Sequence, residues 1–68
     1  MNIAKKIGNN LKNARIAKNY TQKYIASLLN MKQQAYSRYE TGKIELNYEL
    51  IIKLCNIYEI TTIELFEI

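Results

Sequence analysis

The segment from residue 22 to residue 43 constrains the fold of this chain more than any other. Its apolar residues recur at the spacing of two short helices that pack steeply across a tight turn. They are Ile25, Leu29, Met31, Tyr36 and Tyr39. Ala26 supplies a small side chain where two such helices approach, and Asn30 tolerates the positive φ that the turn requires. The segment therefore predicts a bihelical unit whose second helix runs from about Gln33 to Glu40.

The residues before this unit predict a first helix from about Ile3 to Lys18. Four apolar residues follow one another at spacings of four, four and three, which places them on one helical face. They are Ile3, Ile7, Leu11 and Ala14. Gly8 in the helix interior costs about 1 kcal/mol relative to Ala. Asn19 can end the helix in a left-handed conformation.

Side chains suited to capping predict where the remaining helices begin. Thr21 caps the second helix, and Asn47 precedes a fourth helix from about Tyr48 to Tyr58. Thr61 and Glu64 form a capping box at the start of a short last helix. No segment alternates apolar and polar residues as a strand would. We therefore predict an all-α fold, a compact five-helix bundle in which residues 1–68 form a single domain.

The composition narrows the possible functions. With a single cysteine, Cys55, the chain can form no internal disulfide, and without His it has no His-based metal site or general base. The basic half has no paired carboxylates and no Gly-rich phosphate loop, so we expect no enzyme, no metal and no cofactor. No apolar run approaches the roughly 20 residues that span a membrane. We expect a cytoplasmic protein with no membrane association and no small-molecule ligand, in which Cys55 serves core packing.

Charge is divided unevenly along the chain. Residues 1–39 contain eight Lys and Arg and no acidic residue, whereas residues 40–68 contain two Lys and six Glu. The sum is a net charge of +4. This polarity predicts that the first half approaches a polyanion. A solvated basic face without a partner is the alternative.

The sequence resembles the Cro/C1-type helix-turn-helix proteins, also called the XRE family, which include phage repressors. The resemblance covers about Ile7 to Phe66, with Leu46 where many members have Pro and Glu59 where Gly or Asn often ends the fourth helix. Its most specific parts are Thr21-Gln22, Ser37-Arg38-Tyr39-Glu40, Gly42-Lys43 and the segment from Thr61 to Phe66. The resemblance implies a lambda-repressor-like fold of five helices that binds operator DNA as a symmetric dimer.

The resemblance also implies residue roles. Gln33, Gln34 and Arg38 would reach base edges, and the Gln pair is similar to that of one lambdoid phage repressor. Gln22 would contact a phosphate, as would Lys43 in the following loop. Arg15 and Glu40 match a pair that forms a salt bridge between the first and third helices. An exposed pair would contribute almost nothing to stability, and a partly buried one would position the third helix.

The chemistry of the third helix agrees with these roles. Residues 33, 34, 37 and 38 share one helical face, and Gln can pair with adenine and Arg with guanine. Ser37 completes this base-reading set, where its small side chain favours close approach to DNA. Lys32 suits a phosphate contact or a base contact. Gln33 and Gln34 as merely solvated helix formers remain the alternative.

Six tyrosines could suggest base stacking. Three fall on apolar helical faces and are predicted to lie in the core: Tyr36, Tyr39 and Tyr58. The remaining three are open between the two roles: Tyr20, Tyr24 and Tyr48.

Two functions are compatible with the sequence. The first is a sequence-specific double-stranded DNA-binding transcriptional regulator, a repressor that acts as a homodimer on a palindromic operator with its third helix in the major groove. The apolar last helix predicts a dimer interface of Ile63, Phe66 and Ile68. The second is a protein-interaction module of the same fold, for example an antitoxin-like partner-binding protein with weak or no DNA binding.

Overall fold

The computed structural model describes residues 2–67, which form five α-helices and, within that range, no strand. The helices are α1 (Ile3–Ala17), α2 (Gln22–Leu28), α3 (Gln33–Thr41), α4 (Tyr48–Tyr58) and α5 (Thr62–Phe66). The predicted all-α, five-helix architecture is confirmed. The predicted ends are in error by one residue at two places: α1 ends at Ala17 rather than Lys18, and α3 extends to Thr41. None of the described helices is long and apolar enough to cross a membrane.

The helices begin at polar side chains that accept hydrogen bonds from the first turn. The side-chain oxygens of Thr21, Asn47 and Thr61 accept from the backbone N–H groups of residues 24, 50 and 64 at 3.0, 2.8 and 3.1 Å. The predicted capping box is present, since Glu64 accepts in return from the Thr61 N–H at 3.0 Å. Asn2 caps α1 in the same way, which we did not predict.

Four residues with positive φ turn the chain between helices. Asn19 and Asn30 adopt φ values of 61° and 59°, as their positions predict. Glu59 adopts 54° at the end of α4, where an L-residue with a Cβ is strained, and Gly42 adopts 77° after α3. These turns bring all five helices onto one core.

The core takes at least one large side chain from every helix. The six that are fully buried are Leu11, Ile25, Tyr36, Leu54, Tyr58 and Leu65. Each such burial contributes about 1.5–3 kcal/mol. Tyr36 and Tyr58 would each bury an unpaired hydroxyl, but their oxygens are hydrogen-bonded to each other at 2.5 Å. The predicted placement of these two tyrosines and of Cys55 in the core is confirmed.

Ile3 does not lie in the core as its helical face predicts. It is 54% exposed because it is the first residue of α1, ahead of the partly buried Ile7 and the buried Gly8. Together with Ile44 and Phe66 it lines an apolar depression of about 290 Å³.

The three undecided tyrosines differ in burial. Tyr20 is partly buried and stacks on Tyr58, with ring centroids 6.5 Å apart. Tyr24 is 46% exposed, and Tyr48 is 86% exposed. Tyr20 therefore joins the core, whereas the other two lie at the surface.

Both glycines lie where α1 meets the end of α3. A Cβ on Gly8 would stand 2.5 Å from the carbonyl oxygens of Tyr39 and Glu40. A Cβ on Gly42 would collide with the backbone of Lys5. The reduced helix propensity of Gly8 is therefore offset by an approach of two backbones that no other residue allows.

We expect Gly8→Ala to lower the free energy of unfolding by about 1–3 kcal/mol, because the added methyl group must push the two helices apart. Propensity alone predicts a gain of up to about 1 kcal/mol for the same change. Urea denaturation followed by circular dichroism measures the difference. Asn9→Ala, at the neighbouring exposed position, is the control and should not destabilise the protein; a stabilised Gly8→Ala variant would show that the close approach is unimportant.

Candidate nucleic-acid interface

The predicted base-reading side chains lie together on the outer face of α3. Gln33, Gln34 and Arg38 are exposed, and Ser37 between them is partly buried. They line a shallow groove of about 410 Å³ with three further residues: Gln22, Thr41 and Lys43. We call this the reading groove. It contains every predicted DNA-contacting residue except Lys32, which stands exposed just before α3.

Beside the reading groove, α3 is held by the carboxylate of Glu40. Arg15 of α1 donates to it twice, from Nε to Oε2 at 2.7 Å and from Nη2 to Oε1 at 3.2 Å. Gln22 of α2 donates from Nε2 to Oε1 at 2.9 Å. Arg15 also donates from Nη1 to the carbonyl oxygen of Tyr20 at 2.9 Å. The carboxylate thus ties the first two helices to the third, and Arg15 holds their connection to the same cluster.

This ion pair lies inside the protein rather than on its surface. The side chains of Arg15 and Glu40 are 13% and 2% exposed. Burial alone would raise the pKa of Glu40, but the hydrogen bonds from Arg15, and then that from Gln22, lower it below its ordinary value. The bond to Glu40 raises the pKa of Arg15 against the effect of burial. Both groups are therefore charged at neutral pH.

The buried tyrosines behind α3 remain neutral. Burial raises the pKa of Tyr58 to about 12 and raises the pKa of Tyr36 further. Their hydrogen bond therefore persists across the physiological pH range. It joins α3 to α4 without introducing a charge near the reading groove.

The start of α3 favours an anion. Lys32 occupies the N-cap position with no side-chain hydrogen bond to the first turn. The first N–H groups of the helix therefore receive no bond from the cap side chain, and the helix dipole is positive at this end. The Lys32 ammonium adds a full charge at the same end. This arrangement suits the phosphate role predicted for Lys32.

The cations around the reading groove are not neutralised by the protein. Among residues 2–67, the ion pairs are Arg15–Glu40, Lys18–Glu59 at 3.1 Å and Lys53–Glu49 at 3.0 Å. Lys32, Arg38 and Lys43 belong to none of them. Their charges are therefore available to a bound polyanion.

Two features of the site were missed by sequence reasoning. Thr41 lines the reading groove, with its hydroxyl donating to the carbonyl oxygen of Arg38 at 3.2 Å. Its spacing of four from Ser37 and seven from Gln34 could have indicated the shared face. The bond from Gln22 to Glu40 was also missed, because no local pattern connects residues in different helices.

The arrangement of α2 and α3 defines the class of the protein. Two short helices cross at a tight turn, and the second presents a polar, cationic face braced from within: this is a helix-turn-helix unit.

Comparison with known proteins identifies the family. A helix-turn-helix family model matches residues 11–65. A prophage-derived uncharacterized HTH-type transcriptional regulator, YonR of Bacillus subtilis (strain 168), is 38% identical over 55 residues, which cover 81% of this chain and 51% of the relative. The chain thus spans about half the length of that relative. No solved structure is significantly similar. This chain belongs to the Cro/C1-type, or XRE, family of helix-turn-helix proteins.

We expect Glu40→Gln to lower the free energy of unfolding by about 3 kcal/mol at pH 7, because Arg15 would stay buried without a counter-charge. The lowered pKa of Glu40 means that its contribution is full above the unfolded-state pKa and is lost as the pH falls through the folded-state pKa. The difference in unfolding free energy between parent and variant should therefore narrow below about pH 4.5. Urea titrations at pH 7, 4.5 and 3 measure it.

Glu49→Gln is the matched control for this measurement. It removes a carboxylate from an exposed ion pair within α4, where the Glu49 side chain is 77% exposed. Such pairs contribute at most about 0.5 kcal/mol. A gap between parent and Glu40→Gln that stays constant with pH would contradict the assigned role of the Glu40 charge.

Proposed function

We propose that this protein is a sequence-specific double-stranded DNA-binding transcriptional regulator that places α3 in the major groove. The observation that carries the proposal is an exposed set of donors and acceptors on a helix that Glu40 fastens to α1 and α2. Side chains that read base edges must be free, and the helix that carries them must be held in place. The name of the relative, an HTH-type transcriptional regulator, supports the same assignment.

Base recognition is assigned to Gln33, Gln34 and Arg38. A Gln amide can donate to and accept from adenine together, and a guanidinium can donate twice to guanine. Each good bidentate contact contributes about 1–3 kcal/mol of discrimination. Ser37 lies between these longer side chains and keeps the helix surface low enough for the base pairs to approach.

Phosphate contacts are assigned to Gln22, Lys32 and Lys43. The two lysines stand just before and just after α3, so they can grip the backbone on either side of the groove that the helix enters. Gln22 gives one amide hydrogen to Glu40 and keeps the second for a phosphate. These contacts position α3 without reading sequence.

We further propose that the protein acts as a repressor, in the form of a homodimer on a palindromic operator. One short helix reads few base pairs, whereas two copies about 34 Å apart read successive major grooves on one side of the duplex. Ile63 and Phe66 of α5 are 81% and 41% exposed, and we assign them to the interface. Ile68, which we assign with them, lies outside the described residues.

Replacing Arg38 and Lys43 separately should distinguish base recognition from electrostatic attraction to the phosphates. Arg38→Ala should weaken binding to the preferred duplex by about 1–3 kcal/mol and relax the preference at one base pair. Lys43→Ala should weaken binding to all duplexes alike and lower the slope of log affinity against log salt by about 0.9 per bound chain. Selection from a random duplex library, followed by titration at several salt concentrations, measures both effects.

The parent protein provides the control for this pair and tests the competing function. If both variants bind duplex DNA as the parent does, the assignment of these residues is wrong. If the parent binds no duplex even at low salt, the protein-interaction module becomes the better hypothesis.

The dimer should be disrupted by a charge on α5. A chain of 8.0 kDa predicts a dimer mass of about twice that value, and Ile63→Glu should return the mass to one chain because a glutamate would be desolvated in the interface. Light scattering after size-exclusion chromatography measures the mass. Ile16→Glu, at an isoleucine of α1 that is 52% exposed, is the matched control. A parent mass of one chain at all accessible concentrations would overturn the dimer.

A further inference from the structure

A second groove, of about 510 Å³, lies beside the reading groove. Its lining consists entirely of polar and charged residues: Asn2, Lys5, Lys6, Asn9, Lys12, Gln22, Glu40 and Thr41. We call it the α1 groove. Gln22 and Thr41 line both grooves, so the two form one continuous surface.

The lysines of the α1 groove form a stripe along the outer side of α1. At about 100° per residue, positions 5, 6, 9 and 12 fall within roughly one third of the helix circumference, nearly opposite the face that carries Leu11. Lys5, Lys6 and Lys12 are all exposed. No carboxylate within residues 2–67 pairs with any of them. Three unneutralised positive charges therefore point away from the core.

The carboxylate that lines the α1 groove does not cancel this charge. The side chain of Glu40 is 2% exposed, and both of its oxygens already accept hydrogen bonds from Arg15 and Gln22. The cation nearest to Glu40 is thus Arg15 and not one of the stripe lysines. The α1 groove carries a net positive charge.

We propose that the α1 groove binds the sugar-phosphate backbone of the duplex next to the base pairs that α3 reads; this rests on the DNA-binding function proposed above. Lys5 and Lys12 are separated by about 10 Å along the helix axis. One DNA strand carries about three phosphates over that length. The amides of Asn9 and Gln22 supply further donors between the lysines. Because the α1 groove is continuous with the reading groove, a DNA backbone that contacts Gln22 would next pass along the lysine stripe.

The lining chemistry favours DNA over an acidic protein as the occupant. Protein interfaces are anchored by buried Trp, Tyr and Arg side chains in desolvated pockets. The α1 groove offers no aromatic and no large aliphatic side chain. Its lysines and amides match what phosphates require, which is charge together with N–H donors.

The test replaces the three lysines together, as Lys5→Gln/Lys6→Gln/Lys12→Gln. All three are exposed, so the thermal melt followed by circular dichroism should match that of the parent. The probe is the duplex that the parent selects from a random library, titrated between 50 and 200 mM salt. The salt slope should fall by about 2.7 per bound chain, so the loss of affinity over that range should shrink about 40-fold. The base preference selected by the variant should be that of the parent, since phosphate contacts read no sequence.

Lys53→Gln is the control for net charge, because Lys53 lines neither groove. It should leave the salt slope unchanged, since screening limits the effect of distant charges. A triple variant with the parent's slope and affinity would overturn the α1 groove proposal and leave the proposed function intact. A parent that binds no duplex would remove both. DNA binding equal to the parent's, together with weaker binding to polyglutamate, would assign the α1 groove to an acidic protein.

Discussion

The carboxylate of Glu40 is the group on which the geometry of the site depends. It accepts hydrogen bonds from Arg15 of α1 and Gln22 of α2, and it sits on the last turn of α3. A buried ion pair gives little net stability, because desolvation offsets most of the attraction. Its effect here is directional, since two donors from different helices fix both the position and the rotation of α3. The proposed base recognition needs that accuracy, because a hydrogen bond weakens steeply outside about 2.7–3.2 Å.

The ion pair can form only because α1 and α3 approach closely, and Gly8 permits that approach. Its missing side chain leaves room for the carbonyl oxygens at residues 39 and 40. Glycine is unfavourable in a helix interior, but the contact between α1 and α3 requires it here. Gly42 has the same effect one turn away, against Lys5. The backbone contact and the ion pair act at the same end of α3, so the end that carries Arg38 is the better fixed.

Local patterns were sufficient to predict the helices, whereas contacts between helices were not. Thr21, Asn47 and Thr61 cap their helices as predicted, since a cap depends on one side chain and a backbone N–H group three residues further on. Neither the bond from Gln22 to Glu40 nor the exposure of Ile3 has a local signature. Both follow from where one helix meets or passes another. The α1 groove could not be predicted for the same reason, although the charges of its lysines were included in the count for residues 1–39.

A carboxylate so close to the reading groove should repel phosphates, and the fold removes that repulsion by burying it. The Glu40 side chain is 2% exposed, and the positive charge of Arg15 lies against it. The charge of Arg15 is therefore neutralised by Glu40 and adds little to the attraction of a polyanion. In the proposed DNA complex, attraction would then come from cations outside any ion pair, such as Lys32 and Lys43, and recognition from the side chains of α3. Because different residues supply the two effects, affinity for DNA and choice of sequence can change independently in this fold.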